Sequence, residues 1–271
     1  MATHTGNRSG QLGTPNPYIP FGNFVGLPFW PGGLTLLAAA PGVGKTSWML
    51  RMIFDAAAAK VPAAIGCYEH TPEELKYRLK LQAEAAVAGP HHEAYPEAVE
   101  ARLAHGSEAV LLSLSDQEDT IRGIEQTLID DYGFPKKGPA LVAIDYLQRV
   151  PVVGLTAMLP EDRRAGEAAA ALRHMARRRG WAVIAACALR AENFSRTPDL
   201  TALLGDERVP YEADRVILVQ RAGAAWTCGC VDLDVHTLKD RTGPQQIWRL
   251  TFWGSRFYLS TDDAGHRHVN R

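Results

Sequence analysis

The sequence predicts an α/β domain with a mainly parallel, twisted sheet, helices on both faces and a β-hairpin near the C-terminus. Three observations carry this. Short apolar runs (Leu34–Ala40, Ala63–Tyr68, Val110–Leu114, Ala140–Ile144, Trp181–Cys187, Arg215–Gln220) are interspersed with segments of helical period, as strands with crossover helices require. A glycine-rich turn, Pro41-Gly42-Val43-Gly44-Lys45-Thr46, stands between the first apolar run and an apolar helical stretch. Far downstream, the run Ala140–Ile144 is closed by an acid, Asp145.

At 271 residues the chain is long enough for one such domain with a sizeable core, and it shows no internal repeat. The expected division is a polar, flexible leader over residues 1–20, one domain over 21–260 and a polar tail over 261–271. Lys and Arg total 29 against 30 Asp and Glu, a net charge of -1. That balance argues against bulk attraction to nucleic acid or a membrane surface and leaves room for a local basic patch. No apolar run reaches the roughly 18–20 residues of a membrane-spanning helix, so no membrane association is expected. Of the four cysteines, Cys67 and Cys187 sit in apolar runs as small buried side chains, and Cys228-Gly229-Cys230 lacks the further ligands of a zinc site. This usage fits a reducing cytoplasm.

In chain order, the lead-in Asn16–Gly33 is rich in Pro, Gly and aromatics, and Phe21, Phe24, Phe29 and Trp30 are expected against the sheet edge. Leu34–Ala40 is the first buried strand. The helix from Lys45 to about Ala59 puts Trp48, Met49, Met52 and Ile53 on a core face. Ala63–Tyr68, bounded by Pro62 and Glu69-His70, is the second strand. The next helix opens at Thr71, with Pro72 at its first position and Glu74 at capping-box distance, and continues through Leu75–Ala88. Gly89–Gly106 is irregular or helical and peripheral; its His91, His92 and His105 have no metal-like spacing. Val110–Leu114 is a short strand, and Asp119–Tyr132 an amphipathic helix with Ile121, Ile124, Leu128 and Ile129 on one face.

After Ala140–Ile144 come a loop over Val150–Pro160 and the Ala-rich helix Glu161–Arg179. That helix ends in His174, Arg177, Arg178 and Arg179, cations that either complement its dipole or contact nucleic acid. Trp181–Cys187 is a buried strand, Arg190–Tyr211 a long loop region and Arg215–Gln220 a strand. Val231–Leu238 and Gln246–Phe252, joined through Lys239-Asp240-Arg241-Thr242-Gly243-Pro244, make the hairpin, and Phe257–Ser260 is the last strand.

The chemistry concentrates at the glycine turn. Backbone N–H groups converge there at a helix N-terminus, which makes an anion site before any side chain is counted. The candidate phosphate cradle is Ala40, Pro41, Gly42, Val43, Gly44, Lys45, Thr46 and Ser47. Lys45 adds a point charge suited to a β/γ-phosphate, and the Thr46 hydroxyl can complete a Mg²⁺ shell. Asp145 fits the acid that holds such a shell, usually through water. Glu69 lies at a strand's carboxyl end beside a helix start, where the ligand crevice of an open α/β sheet lies. A carboxylate there either orients and deprotonates a water or is an ordinary turn residue.

Read together, LTLLAAAPGVGKTSW, CYEHTPEEL, LVAIDYLQ, YEADRVILV and LKDRTGP resemble, in order, the motifs of the RecA-like motor domain of replicative, DnaB-type hexameric helicases. The resemblance covers roughly Phe21–Leu259, and Asp145-Tyr146-Leu147-Gln148 is its most specific string. Ala39, where the general consensus has glycine, is usual in that family. The resemblance implies a RecA-like P-loop NTPase that binds ATP and Mg²⁺ and forms a homo-oligomer, a hexameric ring. It further implies action on single-stranded DNA and a protein loader or primase-like partner. Carried over position by position, Lys45 and Thr46 would bind phosphate and Mg²⁺, Glu69 would polarise the attacking water and Asp145 would be the Walker B acid. Lys239 and Arg241 would be the family's finger pair, reaching into the ATP site of a neighbouring subunit.

Two departures stand out. The family's Ser-Gln pair at the end of the strand after Walker B is Cys187-Ala188 here, and an alanine side chain donates no hydrogen bond to a γ-phosphate. Where the family's DNA-contacting loop usually carries Arg, Gly and Ser, this chain reads Leu203-Leu204-Gly205-Asp206-Glu207-Arg208, and two acids there would repel a phosphate backbone, although Arg190, Arg196 and Arg208 could still line a channel. These departures motivate an alternative: an ATP-dependent switch or scaffold that binds a protein partner and does not unwind DNA.

Overall fold

The computed structural model describes residues 29–152, 154, 158–194, 198–223 and 229–260. The first half of the chain gives β1 (Leu34–Ala39), α1 (Lys45–Ala58), β2 (Ala63–Cys67), α2 (Pro72–Ala88), α3 (Pro96–His105), β3 (Val110–Ser113) and α4 (Ile121–Asp130). The second half gives β4 (Leu141–Asp145), α5 (Glu161–Arg179), β5 (Ala182–Cys187), α6 (Arg208–Glu212), β6 (Arg215–Arg221), β7 (Cys230–Asp240), β8 (Ile247–Trp253) and β9 (Tyr258–Ser260). Among the described residues all nine strands lie in one sheet, in the order β3-β2-β4-β5-β1-β6-β7-β8-β9.

From β3 to β6 every pairing is parallel, so the carboxyl ends of β1, β2, β4 and β5 open on the same edge. The register puts Cys67 beside Asp145 and Ala38 beside Cys187. The strands are apolar throughout because both sheet faces are covered. In β1, Leu37 and Ala39 face a core with α1 and α2, while Leu34, Leu36 and Ala38 face one with α4 and α5. In β4, Leu141 and Ala143 face the first core, and Val142 and Ile144 the second.

The predicted α/β class, parallel sheet and C-terminal hairpin are present, and the differences are local. β7 and β8 pair antiparallel, but β7 runs on to Asp240, past the expected end at Leu238. The extension pairs Arg215 with Asp240 after a register shift between Val216 and Ile217. Lys239 and Asp240 are therefore strand residues, and Arg241 opens the turn. The Gly89–Gly106 stretch holds α3, and the 190–211 region holds short helical turns and α6.

The described end of the lead-in, residues 29–33, lies at the central strands and not at a sheet edge. Gly32 donates to the Trp181 carbonyl at 3.0 Å and Val183 donates to Gly33 at 2.9 Å, so the chain enters at the foot of the central strands β5 and β1. Phe29 is fully buried in the core there and Trp30 is half-buried. Phe21, Phe24, Arg196, Cys228, the leader 1–20 and the tail 261–271 lie outside the described residues. The basic end of α5 resolves toward packing: Arg178 and Arg179 both pair with Glu125 of α4, whose side chain is buried. Among the described residues no helix is long and apolar enough to cross a membrane, and no group of His, Cys, Asp and Glu could hold a metal ion without other help.

Candidate active site

Three strand ends and one glycine turn build the site. β1 delivers the turn 40–44, and α1 begins at Lys45 with Gly44 as its N-cap at φ 94°. No side chain caps this helix and no acid occupies its first turn, so its leading N–H groups stay open to an anion. At α2, by contrast, Thr71 Oγ1 accepts from the Glu74 amide and Glu74 Oε2 accepts from the Thr71 amide. A Cβ on Gly44 would meet the Phe252 ring at 3.1 Å, so the turn is glycine for both its dihedral and its neighbour.

These elements surround a cavity of about 510 Å³ lined by Pro41, Gly42, Gly44, Lys45, Thr46, Ser47, Glu69, His70, Asp145 and Tyr146, among others. The Thr46 hydroxyl donates to Asp145 Oδ2 at 2.6 Å, so the start of α1 and the end of β4 are joined side chain to side chain. Lys45 Nζ donates to the turn's own carbonyls, Ala39 at 2.9 Å and Ala40 at 3.3 Å. Glu69 follows β2 and is exposed on the cavity wall, where water has access. Of the cradle residues, Val43 points into the core, Ser47 is buried on the wall, and Ala40 contributes through its carbonyl.

The electrostatics follow from burial. Desolvation pushes the Asp145 carboxyl above its usual range, with the Glu69 charge adding to it and the Thr46 hydrogen bond and Lys45 opposing it. Desolvation also lowers the Lys45 ammonium, against the pull of Asp145, Cys187 and Glu69. The Cys67 thiol is pushed up to about 12 by burial and by Asp145, and burial takes Cys187 to about 11. Both sulfurs are inert thiols at neutral pH.

Lys239 and Arg241 are not on this cavity. Lys239 Nζ donates to the carbonyls of Pro210 at 2.7 Å and Tyr211 at 3.0 Å, and Arg241 Nη2 donates to Tyr211 at 3.0 Å. Arg190 donates to the Gly205 carbonyl, and Arg208 reaches Glu167 at 2.6 Å and Asp206 at 3.0 Å, so both are engaged within the chain.

Ala188, which the sequence placed at the sensing position, lines the cavity, but sequence reading missed the rest of the far wall: Arg78, Phe252, Gly254 and Phe257. Arg78 stacks over Phe257 at 4.7 Å, and Phe257 sits at φ 49° with its carbonyl held by Gln82 Nε2 at 2.9 Å. Arg221 at the end of β6 also comes close to the turn, 3.9 Å from where a Gly42 Cβ would stand. Nothing local in the sequence announces these residues, which arrive from α2, β6 and β8. The glycine at 44 was their one indirect sign.

A family model described as the DnaB-like helicase C terminal domain matches residues 26–258. No curated protein matches the chain. Among solved structures, one described as an ATPase domain is similar at a TM-score of 0.71 and 19% identity, with 86% of each chain covered. A DnaB-like replicative helicase, solved in a study of its interactions with primase, is similar at the same TM-score and identity. That match covers 86% of this chain and 58% of the helicase, so the chain spans a little over half of that protein. At this identity the two structures speak for the fold, and the family match, which takes in most of the chain, speaks for the lineage. The chain belongs to the DnaB-like helicase C-terminal domain family and is an ATPase motor domain of the DnaB type.

Proposed function

We propose that this domain hydrolyses ATP by in-line attack of a water held by Glu69, and that it does so between copies of itself in a hexameric ring acting on single-stranded DNA. The observation that carries the reading is the 2.6 Å bond between Thr46 and Asp145 in the cavity that Glu69 also lines. The residues present fit a nucleotide with Mg²⁺: an uncapped helix start, a lysine resting on the turn's own carbonyls, and a hydroxyl–carboxylate pair beside it. When bound, Mg²⁺ neutralises phosphate charge, and Thr46 and Asp145 are the residues that would hold it. Lys45 binds the β/γ-phosphates in exchange for Ala39 and Ala40. Glu69 orients the water and takes its proton.

Lys239 and Arg241 serve the adjacent copy. A cation supplied in this way meets charge developing on the transferring phosphoryl group and is worth about 10³–10⁵ in rate. Support comes from their position at the hairpin end, away from their own cavity. A protein loader or a primase-like partner completes the proposal by family analogy.

A second reading, an ATP-dependent switch that binds a partner protein, draws on one observation: Arg190 and Arg208 are engaged by their own chain and not presented to a phosphate backbone. Phosphate release by Lys45→Ala and Glu69→Gln tests the catalytic reading, with loss of turnover expected in both and wild-type rates overturning it. Filter binding of labelled single-stranded DNA, with and without a non-hydrolysable ATP analogue, separates motor from switch.

A further inference from the structure

With Cys187-Ala188 at the tip of β5, no side chain there can link a nucleotide to the loop beyond. Gln148 makes a link from the turn that follows β4. It is half-buried there, and both ends of its amide are used. Its Oε1 accepts the Ala188 amide at 3.1 Å. Its Nε2 donates to the Leu204 carbonyl at 2.8 Å and to Cys187 Sγ at 3.2 Å. The Leu204 amide in turn donates to the Ala188 carbonyl at 2.9 Å, so the side chain brackets a backbone contact between the two segments. An amide offers an acceptor and two donors on separate atoms of one side chain; glutamate lacks the donors and leucine lacks both.

The two segments differ in what they touch. Ala188 lines the nucleotide cavity. Leu204 begins a stretch pinned along its length. The Asp206 amide donates to Asp162 at 3.1 Å, Arg208 grips Glu167 and Asp206, and α6 follows directly. The carbonyls of Pro210 and Tyr211 in α6 are the ones that hold Lys239 Nζ and Arg241 Nη2. The Arg241 amide donates to Asp214 at 2.9 Å just past the helix. One side chain, one stretch of backbone and two cations therefore form an unbroken series of contacts.

We propose that Gln148 is a positioning residue that ties the wall of a subunit's own nucleotide cavity to residues 204–211 and, through them, to the two cations the same subunit offers its neighbour. The inference rests on the role in trans proposed for Lys239 and Arg241. It supplies, through a backbone amide and Gln148, the link between nucleotide and loop that Ala188 cannot make with its side chain.

The test is a mutant cycle on the full chain, with ATP turnover and affinity for a non-hydrolysable ATP analogue measured for wild type, Gln148→Ala, Gln148→Glu, Lys239→Ala, Lys239→Ala/Gln148→Ala and Arg241→Ala. Gln148→Glu keeps the acceptor for Ala188 and loses the donor to Leu204, and it decides the matter if Gln148→Ala does not fold. The expected result is kcat down about tenfold in either Gln148 variant, with analogue Kd within about twofold of wild type. That loss should shrink to about twofold or less when Lys239 is already alanine, because residues acting through one another are not additive. A full loss repeated on the Lys239→Ala background overturns the proposal, as does a Kd that weakens in step with kcat, or wild-type turnover in both Gln148 variants. If Lys239→Ala and Arg241→Ala both run at wild-type speed, the trans reading itself is what has failed.

Discussion

Arg215 and Asp240 form an ion pair at 2.8 Å with each side chain only 5% exposed, and Asp240 lies between the two cations at the hairpin end. Asp240 also accepts from the Thr242 amide and hydroxyl, each at 2.8 Å, so a buried carboxylate fixes the turn from inside while Lys239 and Arg241 reach α6. Breaking such a pair from one side leaves a buried charge uncompensated, at a cost of about 3–5 kcal/mol. Asp240→Ala should therefore lower stability by that order in denaturant unfolding, and lower ATP turnover as well.

The same carboxylate gives a pH signature. Burial alone would raise Asp240, but the Thr242 hydrogen bonds and the Arg215 charge outweigh it and hold the group below the usual carboxylate range. A depressed folded value means stability that is fully present above the unfolded value, about 3.9, and is lost as pH falls through the folded one. Acid unfolding of the wild type should show this loss below about pH 4, and Asp240→Asn should show a shallower slope there.

Asp145 carries the opposite sign. Its carboxyl is buried and its folded value is raised, so carrying the charge at neutral pH costs stability in the nucleotide-free protein. Asp145→Asn is expected to raise the melting temperature without nucleotide and to abolish hydrolysis, a trade of activity for stability. A melting curve and a phosphate-release assay on one preparation check both halves.

Gly44→Ala combines a left-handed dihedral with a contact at 3.1 Å to Phe252. The dihedral alone costs roughly 1–2 kcal/mol for a residue with a Cβ. Analogue binding should fall further than stability does, because the strain sits in the turn that presents the N–H groups. Calorimetric titration alongside thermal melting separates the two effects.

If the hairpin cations act in trans, mixing inactive Arg241→Ala with inactive Lys45→Ala should restore part of the turnover. In the mixed ring some intact cavities face intact cations. Phosphate release across a mixing series should peak at intermediate ratios, and a flat line at zero speaks against the geometry.

Arg208 is neutralised by Glu167 and Asp206. Glu167→Gln removes one of these two carboxylates and should raise affinity for single-stranded DNA. The logarithmic salt slope should steepen by about 0.7 for each added phosphate contact. Filter binding over a salt series measures both.

What could be read in the sequence was what local pattern encodes. The turn at 41–46, the Thr71–Glu74 capping box and the acid at Asp145 each announce themselves within a few residues, because a helix start or a strand end has a fixed chemistry. The far wall of the cavity has no such signature: Arg78, Phe252 and Phe257 meet only when α2 and β8 fold against the turn. The extent of β7 was hidden for a related reason, since Lys239 and Asp240 read as turn charges until Arg215 pairs with Asp240 across the ladder. Gln148 stood in a recognised motif, yet its partners at Ala188 and Leu204 come from two other segments.

Strand β7 connects two nucleotide sites if the ring assembles as proposed. One end holds Phe252, opposite Val231 and against Gly44; the other holds Lys239, a span of about 26 Å at strand rise. β7 is hydrogen-bonded to β6 on one side and to β8 on the other, so it cannot tilt at one end alone. In that ring, a shift of β7 that loosened Phe252 from its own phosphate turn would also move the cations at the far tip, and seating of one nucleotide would be geared to attack on the next.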